Sequence, residues 1–300
     1  MDVAITGSSG LIGSALRRSL ADDGHRAIRV VRAGSTAAGP TVVWDPGAGT
    51  IDRAGLEDVD AIVHLAGEGV ASGRFTDEHR RRVKDSRTRG TALLAEALAG
   101  LDAKPRVLLS GSAVGYYGDR GDQELTEPSP PGTGFLPEVC TAWEAATGMA
   151  EAAGIRVAHL RTGIVLSTEG GALAKQLLPY KLGLGGRAGS GHQWMSWISI
   201  DDEVGAIRFL LDHDVSGPVN ITAPAPVTNA AFAKALGAAL HRPAVVPLPR
   251  LLTRLPAGIG DLVESLLFTG ARVYPTVLEN AGYRFAHESL EAALGALIRR

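Results

Sequence analysis

Apolar residues along this chain fall into short continuous runs separated by longer stretches in which they recur every three or four positions, the alternation expected of buried strands and amphipathic helices. Val3-Ala4-Ile5 is the first run, and Ile12, Leu16 and Leu20 then form a helical stripe that Asp22-Asp23-Gly24 stops. Ala27 to Val31 reads as a second strand and Val42-Val43-Trp44 as a short third, broken by Pro46-Gly47 and Gly49. Ala61 to Ala66, ending in Gly67, has the pattern of a strand buried on both faces of a parallel sheet. A helix is predicted over 76–98, with Val83, Leu94 and Leu98 inward and the basic residues of 80–84 outward. Val107-Leu108-Leu109 and Ile155 to Leu160 are further strands, and between them Pro137 opens a helix with Val139, Trp143 and Ala146 on its buried stripe. Val204 to Leu211 reads as a helix and Val219-Asn220-Ile221-Thr222 as the last strand of the sheet. Past Pro224 and Pro226, Thr228 caps a helix through Leu240, 243–249 is an extended linker, and amphipathic segments follow to Leu290, Leu294 and Leu297.

This order predicts an α/β fold, a doubly wound parallel sheet formed by 1–166 and completed by 202–223. The segments 167–201 and 224–300 form a smaller discontinuous C-terminal lobe over the carboxyl edge, where ligands of such sheets lie. A length of 300 residues with 45% hydrophobic content suffices for a large core. Cys140 is the single cysteine, so neither an intrachain disulfide nor a cysteine metal cluster can form, and no metal is expected. A net charge of -2 gives no reason to bind nucleic acid or an anionic membrane, and Asp77, Glu78 and Asp85 flank the basic cluster as on a solvated helix face. The first apolar run is too short for a signal sequence and no stretch reaches spanning length, so the expected location is cytoplasmic.

The chemistry begins at Thr6-Gly7-Ser8-Ser9-Gly10-Leu11-Ile12-Gly13, between the first strand and the first helix. Gly7 can take the φ of a tight turn, Gly10 lets backbone approach a phosphate, and Gly13 lets the helix sit close to the sheet. The helix start itself offers free N–H groups and a positive dipole end. Gly7, Ser8, Ser9, Gly10, Leu11, Ile12 and Gly13 are therefore candidate contacts to a dinucleotide pyrophosphate. At the end of the second strand a carboxylate would bond the ribose 2′-hydroxyl of NAD; Arg32 stands there instead, and a guanidinium pairs with the 2′-phosphate of NADP. NADP is the expected cofactor, in preference to NAD. Leu65, Ala66 and Gly67 lie at the next strand end, small enough for a cofactor to lie against, and His64 reads as a satisfied core histidine.

The β/α alternation, these glycines and the hydroxyl-rich edge from Ser110 to Gly118 together resemble the extended short-chain dehydrogenase/reductases, the sugar-nucleotide epimerase and dehydratase group. The resemblance implies a Rossmann-like fold and assigns Ser112 to the serine that bonds the reacting carbonyl or hydroxyl. It also implies a Tyr with a Lys four residues on, and no tyrosine here has one. Phe135 to Glu144 stands where that pair would be. The runs from Ser112, Gly132 and Trp143 are similar to an atypical epimerase-like branch, sometimes labelled a cell-division inhibitor, whose members bind cofactor without the usual pair. Tyr116 and Glu138 are then candidate proton donors beside Ser112. Cys140 reads as a small buried hydrophobe.

Arg161, at the step into the second lobe, either contacts the bound molecules or braces the loop. The loop 183–193 is too glycine-rich for regular structure, and Arg187, His192, Gln193 and Trp197 are candidate substrate contacts. Gln193, Trp197, Asp201 and Asp202 match the family's pattern of a glycine-rich turn, an aromatic and a strand ending in Asp-Asp. Met195 replaces the family's diphosphate-gripping arginine, which argues against a nucleotide-sugar substrate. Trp194, Met195 and Trp197 fit either an apolar pocket or a core patch. The expected function is an NADP(H)-dependent oxidoreductase or epimerase-like enzyme on a small carbonyl or alcohol; the other class is a non-catalytic NADP(H)-binding sensor. The family also implies a homodimer through the helices near 76–98 and 137–152.

Overall fold

The computed structural model describes residues 1–256 and 258–299. Strand β1 (Asp2–Thr6) passes through the glycine turn into α1 (Leu11–Asp22), and β2 (Arg26–Arg32), β3 (Thr41–Asp45), β4 (Thr50–Ile51) and β5 (Ala61–His64) lead to α2 (Asp77–Ala99). Next come β6 (Val107–Ala113), β7 (Glu124–Leu125), α3 (Phe135–Ala145), α4 (Gly148–Ala152) and β8 (Arg156–Thr162). The second part contains β9 (Ile164–Leu166), α5 (Gly171–Lys181), β10 (Trp194–Met195), β11 (Trp197–Ser199), α6 (Ile200–Asp212), β12 (Gly217–Ile221), β13 (Val227–Thr228) and α7 (Asn229–Ala239). The chain ends with α8 (Ile259–Val263), β14 (Arg272–Val273), α9 (Thr276–Asn280) and α10 (Leu290–Arg299).

Eight strands form the main sheet in the order β12-β8-β6-β5-β1-β2-β3-β4. All neighbours are parallel except the β3–β4 hairpin. The order reverses between β1 and β5, so the crevice beyond their carboxyl ends is the ligand position of a doubly wound sheet. Strand parity divides the core. Val3, Ile5, Val63 and Leu109 pack with Leu16 and Leu20 of α1 and Ile207 of α6, whereas Ala4, Ile62 and Leu108 pack with Leu94 and Leu98 of α2. Helix α2 starts where Thr76 accepts from the His79 amide, and α7 where Thr228 accepts from that of Ala231.

The start of α6 differs from the sequence pattern. Asp201 and Asp202 do not end a strand; they lie in the first turn of α6, which begins at Ile200. Ser199 accepts the Asp202 amide at 3.0 Å, and this cap with its first-turn acids outweighs the strand-like alternation before it. Asp202 in turn accepts from the amides of Ala286 (2.6 Å) and His287 (3.1 Å), tying the C-terminal segment to the base of α6.

Three small strand pairs lie outside the main sheet: β9 with β11, β10 with β13, and β14 with β7. The linker 243–249 lies along the glycine loop, with the Val246 amide donating to Gly185 and that of Leu248 to Arg187. Among the described residues no helix is long and apolar enough to cross a membrane.

Candidate functional site

The glycine turn has the geometry of a phosphate cradle. Gly7 sits at φ +64°, and a Cβ there would lie 2.8 Å from the Leu65 carbonyl carbon. A Cβ on Gly13 would lie 2.3 Å from the Gly7 oxygen, so the helix can approach only because that position is bare. Gly10 caps α1 without a side-chain bond and the first turn holds no acid, which leaves the helix end to an anion. Thr6 locks the opposite wall by accepting the amides of Leu65 (3.0 Å) and Ala66 (3.1 Å). His64, bonded to Thr6 and Thr91, is neutral, its pKa pushed down by burial to about 4.

Three arginines lie by the glycine turn and the end of β2. Arg32 is exposed at the end of β2. Arg29 donates from Nε to the Ser8 hydroxyl at 3.2 Å, and Arg17 reaches the Ser8 carbonyl at 3.5 Å. Burial, and then the neighbouring Arg29 charge, hold Arg17 below the usual arginine range, a local excess of positive charge suited to an anion. Ser9, also exposed, lies on the open side of the turn.

A cleft of about 780 Å³ opens beyond the ends of β6 and β8. Its walls include Ala113 and Thr162 from the strand ends, Leu136 and Cys140 from α3, and Trp194 and Met195 from the lobe. Ala113 and Thr162 stand in register on neighbouring strands. Behind Thr162, Glu203 is fully buried and accepts the Thr162 hydroxyl at 3.0 Å, while its second oxygen has no partner among the described residues. Burial raises its pKa to about 8, so it is a neutral acid at pH 7.

Ser112 points away from the cleft. Strand β6 continues to Ala113, and the pleat gives the cleft side to Ala113 and the other side to Ser112. The Ser112 hydroxyl donates to Glu144 at 2.7 Å. Glu144 grips Arg161 through both oxygens, from Nε and Nη2 at 2.8 Å each. Nη1 of Arg161 donates to the Tyr117 hydroxyl (3.0 Å) and the Glu127 carbonyl (3.1 Å), and Tyr117 donates to Asn220 at 2.7 Å. Burial alone would lower the Arg161 pKa, but the bonds and charge of Glu144 raise it. Arg161 therefore braces the ends of β6, β8 and β12.

The other sequence candidates separate in space. Tyr116 stacks under the Arg161 guanidinium at 3.5 Å from its ring centroid, outside the cleft lining. Glu138 is exposed on α3, and Arg187 and His192 are exposed on the glycine loop; none of the three lines the cleft. Trp197 is fully buried with its indole N–H on the Ala225 carbonyl, a core residue because β11 is covered on both sides. Gln193 does line the cleft, with its amide donating to Ala188 and Leu267. Cys140 is a buried thiol raised to about 11, as burial dictates. Glu144, Thr162 and Glu203 were not singled out from sequence. For Glu144 a signal existed: a buried arginine at a strand end requires a counter-charge, and the adjacent helix supplies one.

The family described as NAD dependent epimerase/dehydratase matches residues 3–222, and a domain of unknown function (DUF1731) matches 248–297. The Mycobacterium bovis epimerase family protein Mb2239 is 44% identical over 294 residues, covering 98% of this chain and 96% of that protein. Human epimerase family protein SDR39U1 is 36% identical over 303 residues, covering 99% of this chain and 100% of the relative. A crystal structure of human SDR39U1 (isoform 2) with NADPH superposes with a TM-score of 0.89 at 34% identity over 100% of both chains. The Bacillus cereus UDP-N-acetylglucosamine 4-epimerase, 18% identical, covers 99% of this chain and 98% of its own with a TM-score of 0.77, a likeness of fold. With the glycine cradle, the parallel sheet and these matches together, the chain belongs to the NAD dependent epimerase/dehydratase family.

Proposed function

We propose that this protein is an NADP(H)-dependent oxidoreductase acting on an apolar carbonyl or alcohol held in the cleft. The observation that carries this reading is the position of an apolar cleft at the carboxyl ends of β6 and β8, in the same sheet edge as the glycine cradle. The cradle fits a dinucleotide because bare Gly7 and Gly13 let the turn and the helix pack against backbone that a Cβ would strike, and Gly10 leaves the helix end uncapped by any side chain. Arg17, Arg29 and Arg32 favour a 2′-phosphate, and the NADPH in the human relative's structure supports the same choice. Met195 and Trp194 in the cleft wall favour an apolar ligand over a sugar diphosphate.

NADPH, when bound, supplies a hydride from its nicotinamide ring. The protein must then place the acceptor and manage one proton. Thr162 carries a hydroxyl at the cleft-facing strand end, and Glu203 behind it is protonated at neutral pH. A neutral carboxyl can donate across that 3.0 Å contact, which frees the Thr162 O–H to donate to a substrate oxygen.

The test is NADPH oxidation with a panel of aldehydes, ketones and quinones. Thr162→Val is expected to lower kcat by roughly tenfold or more while leaving the NADPH Kd within about twofold. Unchanged kcat removes Thr162 from the reaction.

A second reading, a non-catalytic NADP(H) sensor, is favoured by α3. The cleft-lining pairs four residues apart on α3 are Phe135 with Val139, Leu136 with Cys140 and Val139 with Trp143, which offer neither phenol nor amine. No turnover with any of the panel, together with a partner protein whose affinity changes with NADPH, is the result that selects it.

A further inference from the structure

Arg87 is a cation in the cleft wall that no sequence motif pointed to. It rises from α2, where its guanidinium lies 4.9 Å above the Trp143 ring and against the bare Cα of Gly67; a Cβ there would come within 3.3 Å of its Cζ. Nη1 alone holds it to the backbone, donating to the carbonyls of Glu68 (2.8 Å) and Val83 (3.1 Å). Nε and Nη2 make no hydrogen bond among the described residues, and the half-buried Arg87 side chain lines the cleft. Burial holds its pKa below the usual arginine range, with the Glu68 charge opposing, and it remains fully charged at neutral pH.

Two features give this cation a purpose. The loop it anchors, Leu65 to Glu68, is the strand end against which a cofactor in the cradle would lie. The helix opposite, α3, presents no amine to the cleft, so a cationic anchor has to come from elsewhere. We infer that Arg87 is the anchor for the nicotinamide-side half of NADP(H), its free N–H groups donating to the ribose hydroxyls or the adjoining phosphate oxygens. A fork of donors fixed on a backbone carbonyl and a Trp face is well suited to diols and phosphates. The inference rests on the NADP(H) reading above and adds a residue to it.

Binding of two ligands separates this role from a structural one. NADPH carries the nicotinamide ribose; adenosine 2′,5′-bisphosphate carries the adenosine end without it. Arg87→Met keeps an apolar stem on Trp143 and removes the charge, and thermal unfolding reports its fold. It is expected to weaken NADPH by roughly tenfold or more and to leave adenosine 2′,5′-bisphosphate within about twofold. Equal weakening of both ligands, or of neither, overturns the inference. Arg87→Lys carries the test alone if the Met variant does not fold: a loss confined to NADPH supports Arg87, and an unchanged ratio of the two affinities overturns it. Wild-type protein that binds neither ligand removes the cofactor reading itself, before any variant is compared.

Discussion

Glu144→Ala is expected to lower the unfolding free energy by about 3–5 kcal/mol, because it strands the Arg161 guanidinium in the interior. Arg161 is 3% exposed and spends two of its nitrogens on this one carboxylate. Removing the carboxylate also leaves the Ser112 hydroxyl without its acceptor. The pair is not expected to be a large net source of stability: the double replacement Glu144→Leu with Arg161→Met should recover most of the loss, since apolar packing substitutes well for a desolvated ion pair. Chemical denaturation of the three proteins checks this. A single variant that costs no more than about 0.5 kcal/mol, the range of an ordinary surface change, contradicts the assigned geometry.

Glu203→Gln is expected to remove a pH dependence from stability. The folded carboxyl titrates near pH 8, against 4.5 for the free group. Below the unfolded value both states hold the proton and folding carries no penalty. As pH rises above it the unfolded chain releases the proton while the folded protein keeps it, so stability falls by up to about 1.4 kcal/mol per pH unit until the folded carboxyl also ionises. The amide keeps an oxygen for Thr162 and cannot ionise. The stability of the Gln variant relative to wild type should therefore increase from pH 5 to pH 8 and level off above that. A difference that does not change with pH shows that Glu203 is not a buried neutral acid. The same titration predicts that wild-type turnover declines as pH rises through about 8.

Much of the fold was legible because local signals agreed. The stripe of Ile12, Leu16 and Leu20, the stop at Gly24 and the cap at Thr228 each matched the element built there. The glycine turn was legible for a stronger reason: its constraints are steric, and Gly7 and Gly13 touch backbone that no other residue would clear. The cleft-facing sheet edge was harder to read, because one residue of strand length changes which side chain faces the cleft. Extending β6 to Ala113 gives Ser112 to Glu144 and the cleft to an alanine. Trp197 has the look of a binding residue, but its strand is covered by packing that only the assembled lobe supplies. Arg87 and Trp143 meet across two helices far apart in sequence, and no local spacing encodes such a meeting.

Those contacts leave the account resting on the cofactor. Its central claim is that the cradle from Gly7 to Gly13, with Arg32 at the end of β2, selects NADP(H). Equilibrium titration of the wild-type protein and of Arg32→Ala with NADPH and NADH tests it most directly. The wild type should bind NADPH roughly tenfold or more tighter than NADH, and Arg32→Ala should weaken NADPH by about tenfold while leaving NADH nearly unchanged. Equal affinity of the wild type for the two cofactors, or an equal loss of both in the variant, would contradict it.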